Sequence, residues 1–230
     1  MDRAHLIFGI YLLFFAVFFA LIIATPLVAF ARDASGLYQL FSATCHQKIS
    51  RSLCIFEDGW VGDCTPQSGQ FVDNESDRAQ TSAVVDGQLG YKMPVCARDI
   101  GIYGGMLLVA ILYPFVRRID DIDVPPVLYL IIAIAPLAID GTIQLVSDLG
   151  WLPFVYESTN LIRLATGLLA GGAASYYAIP LLMNMFGDTR SGLTPRTSGL
   201  VRKAEAEHPR KSKVLGALPP RSANKGFRAP

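Results

Sequence analysis

LIFGIYLLFFAVFFALIIATPLVAF, Leu6 to Phe30, contains no charged side chain. An uninterrupted apolar run of at least about 18 residues can carry a helix across the roughly 30 Å hydrocarbon layer of a bilayer. The competing reading is a cleaved signal peptide, because Ala29-Phe30-Ala31 has the small-residue pattern of a cleavage site. The run is much longer than the roughly 7–15 apolar residues of a signal peptide. A retained transmembrane helix over 6–30 is therefore expected.

Three more spans follow. IGIYGGMLLVAILYPFV, Ile100 to Val116, stops at Arg117 and Arg118. PVLYLIIAIAPLAIDGTIQLV, Pro126 to Val146, is interrupted by Asp140 and Gln144. Leu161 to Phe186 carries Arg163 near its start and Pro180 as an expected kink. Helices of soluble bundles show a polar face at helical spacing, and these four mostly do not. Composition agrees: the 230 residues are 52% hydrophobic and 17% charged, with mean hydropathy +0.38. A soluble domain carries about a quarter charged residues. The expected fold is all-α, a polytopic membrane protein whose partner is the lipid bilayer. No nucleic-acid partner is expected, although the net charge of +1 itself says nothing about partners because the charges are unevenly spread.

Residues 32–99 form a polar loop with all four cysteines, and residues 187–230 form a tail with ten Lys or Arg against three acids. That tail, rich in Pro and Gly, is expected to be disordered in isolation. The domain reading is a four-helix membrane unit over 1–186 followed by a basic tail. Arg117, Arg118 and the tail put an excess of cationic residues on one side, which the positive-inside rule makes cytoplasmic. Both termini then lie in the cytoplasm and the cysteine loop lies outside an inner membrane.

Helix direction gathers Arg98, Asp99, Asp140, Gln144, Asn160 and Arg163 in the outer half of the bundle. Asp140 lies about seven residues, or roughly 10 Å, before the end of its span. Charged groups at that depth should face one another or a wet cavity. Arg163 is the expected partner of Asp140. Gly167 and Gly171 on the last span, and Gly101, Gly104 and Gly105 on the second, form small faces suited to close helix packing.

Outside the cytoplasm thiols tend to oxidise. The preferred pairing is Cys45 with Cys96 and Cys54 with Cys64, with other connectivities left open by sequence. Zinc would suit four thiolates, or three with His46. No C-x-x-C occurs and the spacings are irregular, so no metal and no cofactor is expected. The disulfides would hold His46, Gln47 and Arg51 as a lid over the polar cluster.

CHQKISRS (Cys45 to Ser52), PVCARDIGIYGG (Pro94 to Gly105), LAIDGTIQL (Leu137 to Leu145) and ESTNLIRLATGLLAGG (Glu157 to Gly172) occur in one order. In this the chain resembles the Domain of Unknown Function 2085 family, small prokaryotic integral membrane proteins. The resemblance covers about Ala43 to Gly172. It implies that Cys45, His46, Gln47, Arg51, Ser52, Cys96, Arg98, Tyr103, Asp140, Gln144, Asn160 and Arg163 match the family pattern. Many relatives have Cys where Asp99 stands, and the insert with Cys54 and Cys64 is a second departure. The resemblance carries no activity. Three functions are compatible with the residues. One is a non-catalytic site for an ion, lipid headgroup or small anionic ligand, formed by His46, Gln47, Arg51, Arg98, Asp140, Gln144, Asn160 and Arg163. The second is a membrane enzyme acting on a lipid-linked or periplasmic substrate, with His46 or Asp140 as acid or base. The third is an accessory subunit docking other membrane subunits through its helices, loop and tail.

Overall fold

The structure, a computed structural model, describes residues 3–45, 47–65 and 80–186. His46 and the basic tail, 187–230, lie outside the described residues. The chain begins with α1 (Arg3–Ala31) and a short α2 (Ser35–Phe41). The last described elements are α3 (Ala97–Val116), α4 (Val127–Asp148) and α5 (Asn160–Phe186). All of these but α2 are long and apolar enough to cross a membrane, which makes four candidate spans among the described residues. Their bounds lie within a few residues of those expected from hydropathy.

Burial in α4 runs opposite to that of a soluble helix. Its buried residues are Asp140 and Gln144, while Leu128, Tyr129, Ile131, Ile132 and Ile139 are exposed. In water that arrangement would leave an apolar surface with no cover. In a bilayer it is the stable one, because lipid solvates the apolar face and the polar groups turn inward. On α1, Ile10, Leu13, Phe14 and Val17 are likewise exposed.

Helix α5 is the centre of the bundle and packs along α3 at backbone distance. A Cβ at Gly101 or Gly105 would collide with the carbonyl oxygen of Leu164 or Leu168. A Cβ at Gly167 or Gly171 would collide with that of Arg98 or Ile102. Lipid tails are as apolar as leucine, so such close packing replaces the hydrophobic drive that holds soluble helices together. Gly104, expected on the same face, instead approaches the Phe19 ring of α1. Tyr11 donates to Ser175 (3.1 Å) and Tyr177 to the Pro126 carbonyl (2.7 Å), fastening α1 and α4 to α5.

The polar loop is not the irregular segment its composition suggests. It contains β1 (Leu53–Phe56), β2 (Val61–Asp63), β3 (Ser82–Val85) and β4 (Gln88–Lys92). They form one antiparallel sheet in the order β2-β1-β4-β3. The all-α expectation needs that addition. Asp86 and Gly87, both at positive φ (51° and 81°), make the two-residue turn joining β3 to β4. Asp-Gly between apolar alternation is a strong hairpin signal. Cys54 and Cys64 are joined across β1 and β2, with their Cα atoms 5.0 Å apart. The sheet rests on the bundle through a core of Ile22, Phe41, Ile55, Met93, Val95 and Ile100.

Candidate functional site

Where the loop meets the bundle, a cavity of about 500 Å³ opens. Its walls come from four places. The loop gives Thr44, Cys45, Gln47, Lys48 and Arg51; the start of α3 gives Cys96, Arg98 and Asp99. The end of α4 gives Gln144, Leu145 and Asp148, and the first turn of α5 gives Arg163.

Asp140 pairs with Arg98, not with Arg163. Its Oδ2 accepts from Arg98 Nη2 and from the Ser158 hydroxyl (3.2 Å), and its Oδ1 accepts from the Tyr156 hydroxyl (3.0 Å). Arg163 donates instead to Glu157 Oε1 (3.0 Å), Ser158 Oγ (3.1 Å) and Asn160 Oδ1 (3.2 Å). Helical side chains lean toward the N-terminus of their helix, so a residue on the first turn reaches back to the segment before it. Ser158 joins the two halves, donating to Asp140 and accepting from Arg163. Three donors surround Asp140, and one of them is the Arg98 guanidinium. Tyr156, donating to that carboxylate, has its phenol held above the ordinary value.

Gln144, 4% exposed, sits among three guanidinium groups. With its amide oxygen turned toward α5 it accepts from Arg51 Nη2 and Arg163 Nη2, both at 2.8 Å. In the opposite orientation the oxygen meets Arg98 Nη2 at 3.3 Å. The first orientation satisfies more donors. Arg51 also donates to Glu157 (3.0 Å) and Asp148 (3.2 Å), tying the loop to both ends of the α4–α5 link. Burial pulls the Arg51 guanidinium down and these two carboxylates more than offset it, so it stands above its ordinary value.

Two of the expected ligand residues also make hydrogen bonds that hold the fold. The Gln47 side chain donates to the Tyr38 carbonyl (2.6 Å), and its own carbonyl accepts from Lys92 Nζ (2.8 Å). Its φ of 53° makes this a sharp turn in the chain just after Cys45. Asn160 turns its amide to Asp63 (2.9 Å) and thereby pins the end of β2 to α5. His46, named above as lid residue and possible acid or base, is outside the described residues.

Cys45 and Cys96 are free thiols, so the expected disulfide between them is not formed. They face each other across the cavity wall, with the Cys96 N–H donating to Cys45 Sγ (3.3 Å). Cys96 Sγ in turn donates to Asp99 Oδ2 (3.2 Å). A side-chain hydrogen bond between the two sulfurs holds the Cys45 thiol below its ordinary pKa. The same contact, with burial, pushes Cys96 up.

Sequence reasoning missed Glu157, Ser158, Tyr156, Asp148 and Lys48. A signal existed for part of this set. Glu157, Ser158 and Arg163 share the stretch ESTNLIR, and a helix-entry segment beside a first-turn arginine is where its partners should be sought.

A family model described as "predicted membrane protein (DUF2085)" matches residues 87–177. That range begins in the β3–β4 hairpin turn and runs through α3 and α4 into α5. A relative from Methanocaldococcus jannaschii, described as an uncharacterized protein, is 33% identical over 184 residues. The matched region is 76% of this chain and 92% of the relative. No solved structure matches the chain.

Proposed function

We propose that this chain, which belongs to the DUF2085 family of predicted membrane proteins, binds a small anionic group in the cavity beneath its cysteine loop. The group is a free anion or the headgroup of an anionic lipid. One observation carries the reading: Arg51, Arg98 and Arg163 converge on Gln144 from three different elements. Four cationic side chains on the cavity wall (Lys48, Arg51, Arg98, Arg163) face two acidic ones (Asp99, Asp148). Glu157 and Asp140 hold the arginines from behind. Such backing pre-orients guanidinium groups, which then lose little freedom on meeting a phosphate or carboxylate. Arg98 Nε, buried and without a hydrogen-bond partner, is a donor still to be used.

The test uses purified full-length chain with inorganic phosphate, and in parallel nanodiscs of phosphatidylglycerol or phosphatidylcholine. Phosphate should raise the midpoint of thermal unfolding, and Arg51→Gln should weaken the apparent affinity about tenfold, as expected for one charged hydrogen bond. A lipid source instead gives stabilisation by phosphatidylglycerol alone. If neither additive shifts the midpoint, the site is a structural ion-pair network.

The topology belongs to the same proposal. Residues 1–186 form the membrane unit and 187–230 a cytoplasmic tail, with the cysteine loop extracytoplasmic. Support comes from Arg117 and Arg118, at the end of α3 away from the loop. In a Cys45→Ser, Cys96→Ser background, a cysteine placed at Val155, in the exposed α4–α5 link, should react with a membrane-impermeant maleimide added to intact cells. One placed at Arg118 should react only after lysis. The reverse pattern would invert the assignment.

A further inference from the structure

The arginine side of the cavity faces a wall of different chemistry. Cys45, Cys96 and Asp99 line it together, and their Sγ and carboxylate ligand atoms all lie within 4.8 Å of one another. We infer that these three side chains form a binding site for a borderline-soft divalent cation such as zinc, with its fourth position open to the cavity. The inference stands apart from the anion reading, since it rests on the three ligand atoms and not on the arginines.

Zinc–sulfur bonds of about 2.3 Å and zinc–oxygen bonds of about 2.0–2.2 Å put the ligand atoms of a tetrahedral ion roughly 3.5–4 Å apart. The Cys96 Sγ to Asp99 Oδ2 distance, 3.2 Å, is already close to that spacing. Small rotations of the side chains close the remainder. Local structure fixes two of the ligands: Cys96 immediately precedes α3 and Asp99 is in its first turn, so both lie at the same helix end. Cys45 arrives from the loop and is held in place by the Cys96 N–H. The left-handed turn at Gln47, pinned by Tyr38 and Lys92, sets the direction of that approach.

A simpler account would treat Cys96 and Asp99 as a helix cap, with the thiol donating to a first-turn carboxylate. That account leaves no role for Cys45, which is brought in from 51 residues away to the same point. A structural disulfide is the other account for the two thiols. The molecule already has one such staple, Cys54 with Cys64, inside the small sheet and away from the cavity wall. Two thiolates and a carboxylate suit zinc chemistry, and three protein ligands with an open position is the arrangement of reactive rather than purely structural zinc. Lys48, Arg51 and Arg98, which line the same cavity, would balance the excess negative charge of such a centre.

The experiment loads full-length reduced protein, in detergent and without other metals, with cobalt(II) as a spectroscopic stand-in for zinc. Wild type should bind one ion per chain and show thiolate-to-cobalt charge-transfer absorption, reversed by added zinc. Cys45→Ser and Cys96→Ser should each abolish the charge-transfer band or weaken binding at least about tenfold. Asp99→Asn, which keeps both thiols, should weaken binding, and Asp99→Cys should retain it. The Cys54→Ser, Cys64→Ser double variant should bind like wild type. The inference is overturned if wild type takes up no cobalt, or if Asp99→Asn and Cys45→Ser bind like wild type. It is also overturned if protein isolated without reductant has Cys45 bonded to Cys96, and the reduced form takes up no ion.

Discussion

Replacing Gly171 with alanine should lower the stability of the bundle by about 3 kcal/mol, the upper end of the range for overpacking. The added methyl would meet the Ile102 carbonyl, carbonyl carbon and Cα, all of them backbone atoms of α3. A flexible side chain could swing aside; a helix backbone can respond only by moving the whole helix. Separation of α3 from α5 would also loosen the contacts at Gly101, Gly105 and Gly167, because all four lie along one seam. In lipid no hydrophobic gain offsets that loss, since the vacated surface is simply covered by acyl chains. Gly9→Ala is the control. Nothing lies within 4 Å of a Cβ there, and alanine is the better helix former by about 1 kcal/mol. Reversible unfolding in mixed micelles reads both variants. If Gly171→Ala and Gly9→Ala unfold at the same denaturant, the backbone-to-backbone seam is wrong.

Asp140→Ala is the second large effect, at about 3 kcal/mol. The carboxylate is 6% exposed and accepts from Arg98, Ser158 and Tyr156. Its removal leaves the Arg98 charge without a counter-ion and two hydroxyls without an acceptor. Because the Arg98 side chain is about a quarter exposed (24%), part of that penalty is relieved by solvent, which keeps the figure at the low end for a broken buried pair. A double-mutant cycle identifies the partner. Asp140→Ala with Arg98→Ala should show a coupling of about 1–3 kcal/mol, and Asp140→Ala with Arg163→Ala less than half of that. The reverse ranking would restore the Asp140–Arg163 pair that helix direction and depth suggest.

That pair shows where sequence reading stops. The four spans were legible because a bilayer demands long apolar runs, and α1 meets the demand with no charge from Leu6 to Phe30. The inward turn of Asp140 and Gln144 was legible for the same reason: at four residues' spacing on an apolar helix they must share the protected face. Which arginine met Asp140 was not legible. Arg98 and Arg163 sit at similar depth on neighbouring helices, and the choice depended on side-chain direction in a first turn and on the link that carries Glu157 and Ser158. The sheet was missed for another reason. Its strands are three to five residues long, and the polar composition of the loop concealed the Asp86-Gly87 turn signal. Cys45 and Cys96 were correctly brought together, but compartment chemistry suggested a bond where the structure has two thiols and a carboxylate.

Retaining an anion through purification is the most direct test of the cavity as a binding site. Full-length protein extracted in mild detergent would be examined intact by native mass spectrometry, alongside Arg51→Gln and Arg163→Gln. The account predicts a stoichiometric anionic species on the wild-type chain, either a small anion or an acidic lipid, that is lost from both variants. A wild-type chain that carries no bound anion, or variants that keep it at full occupancy, would contradict it.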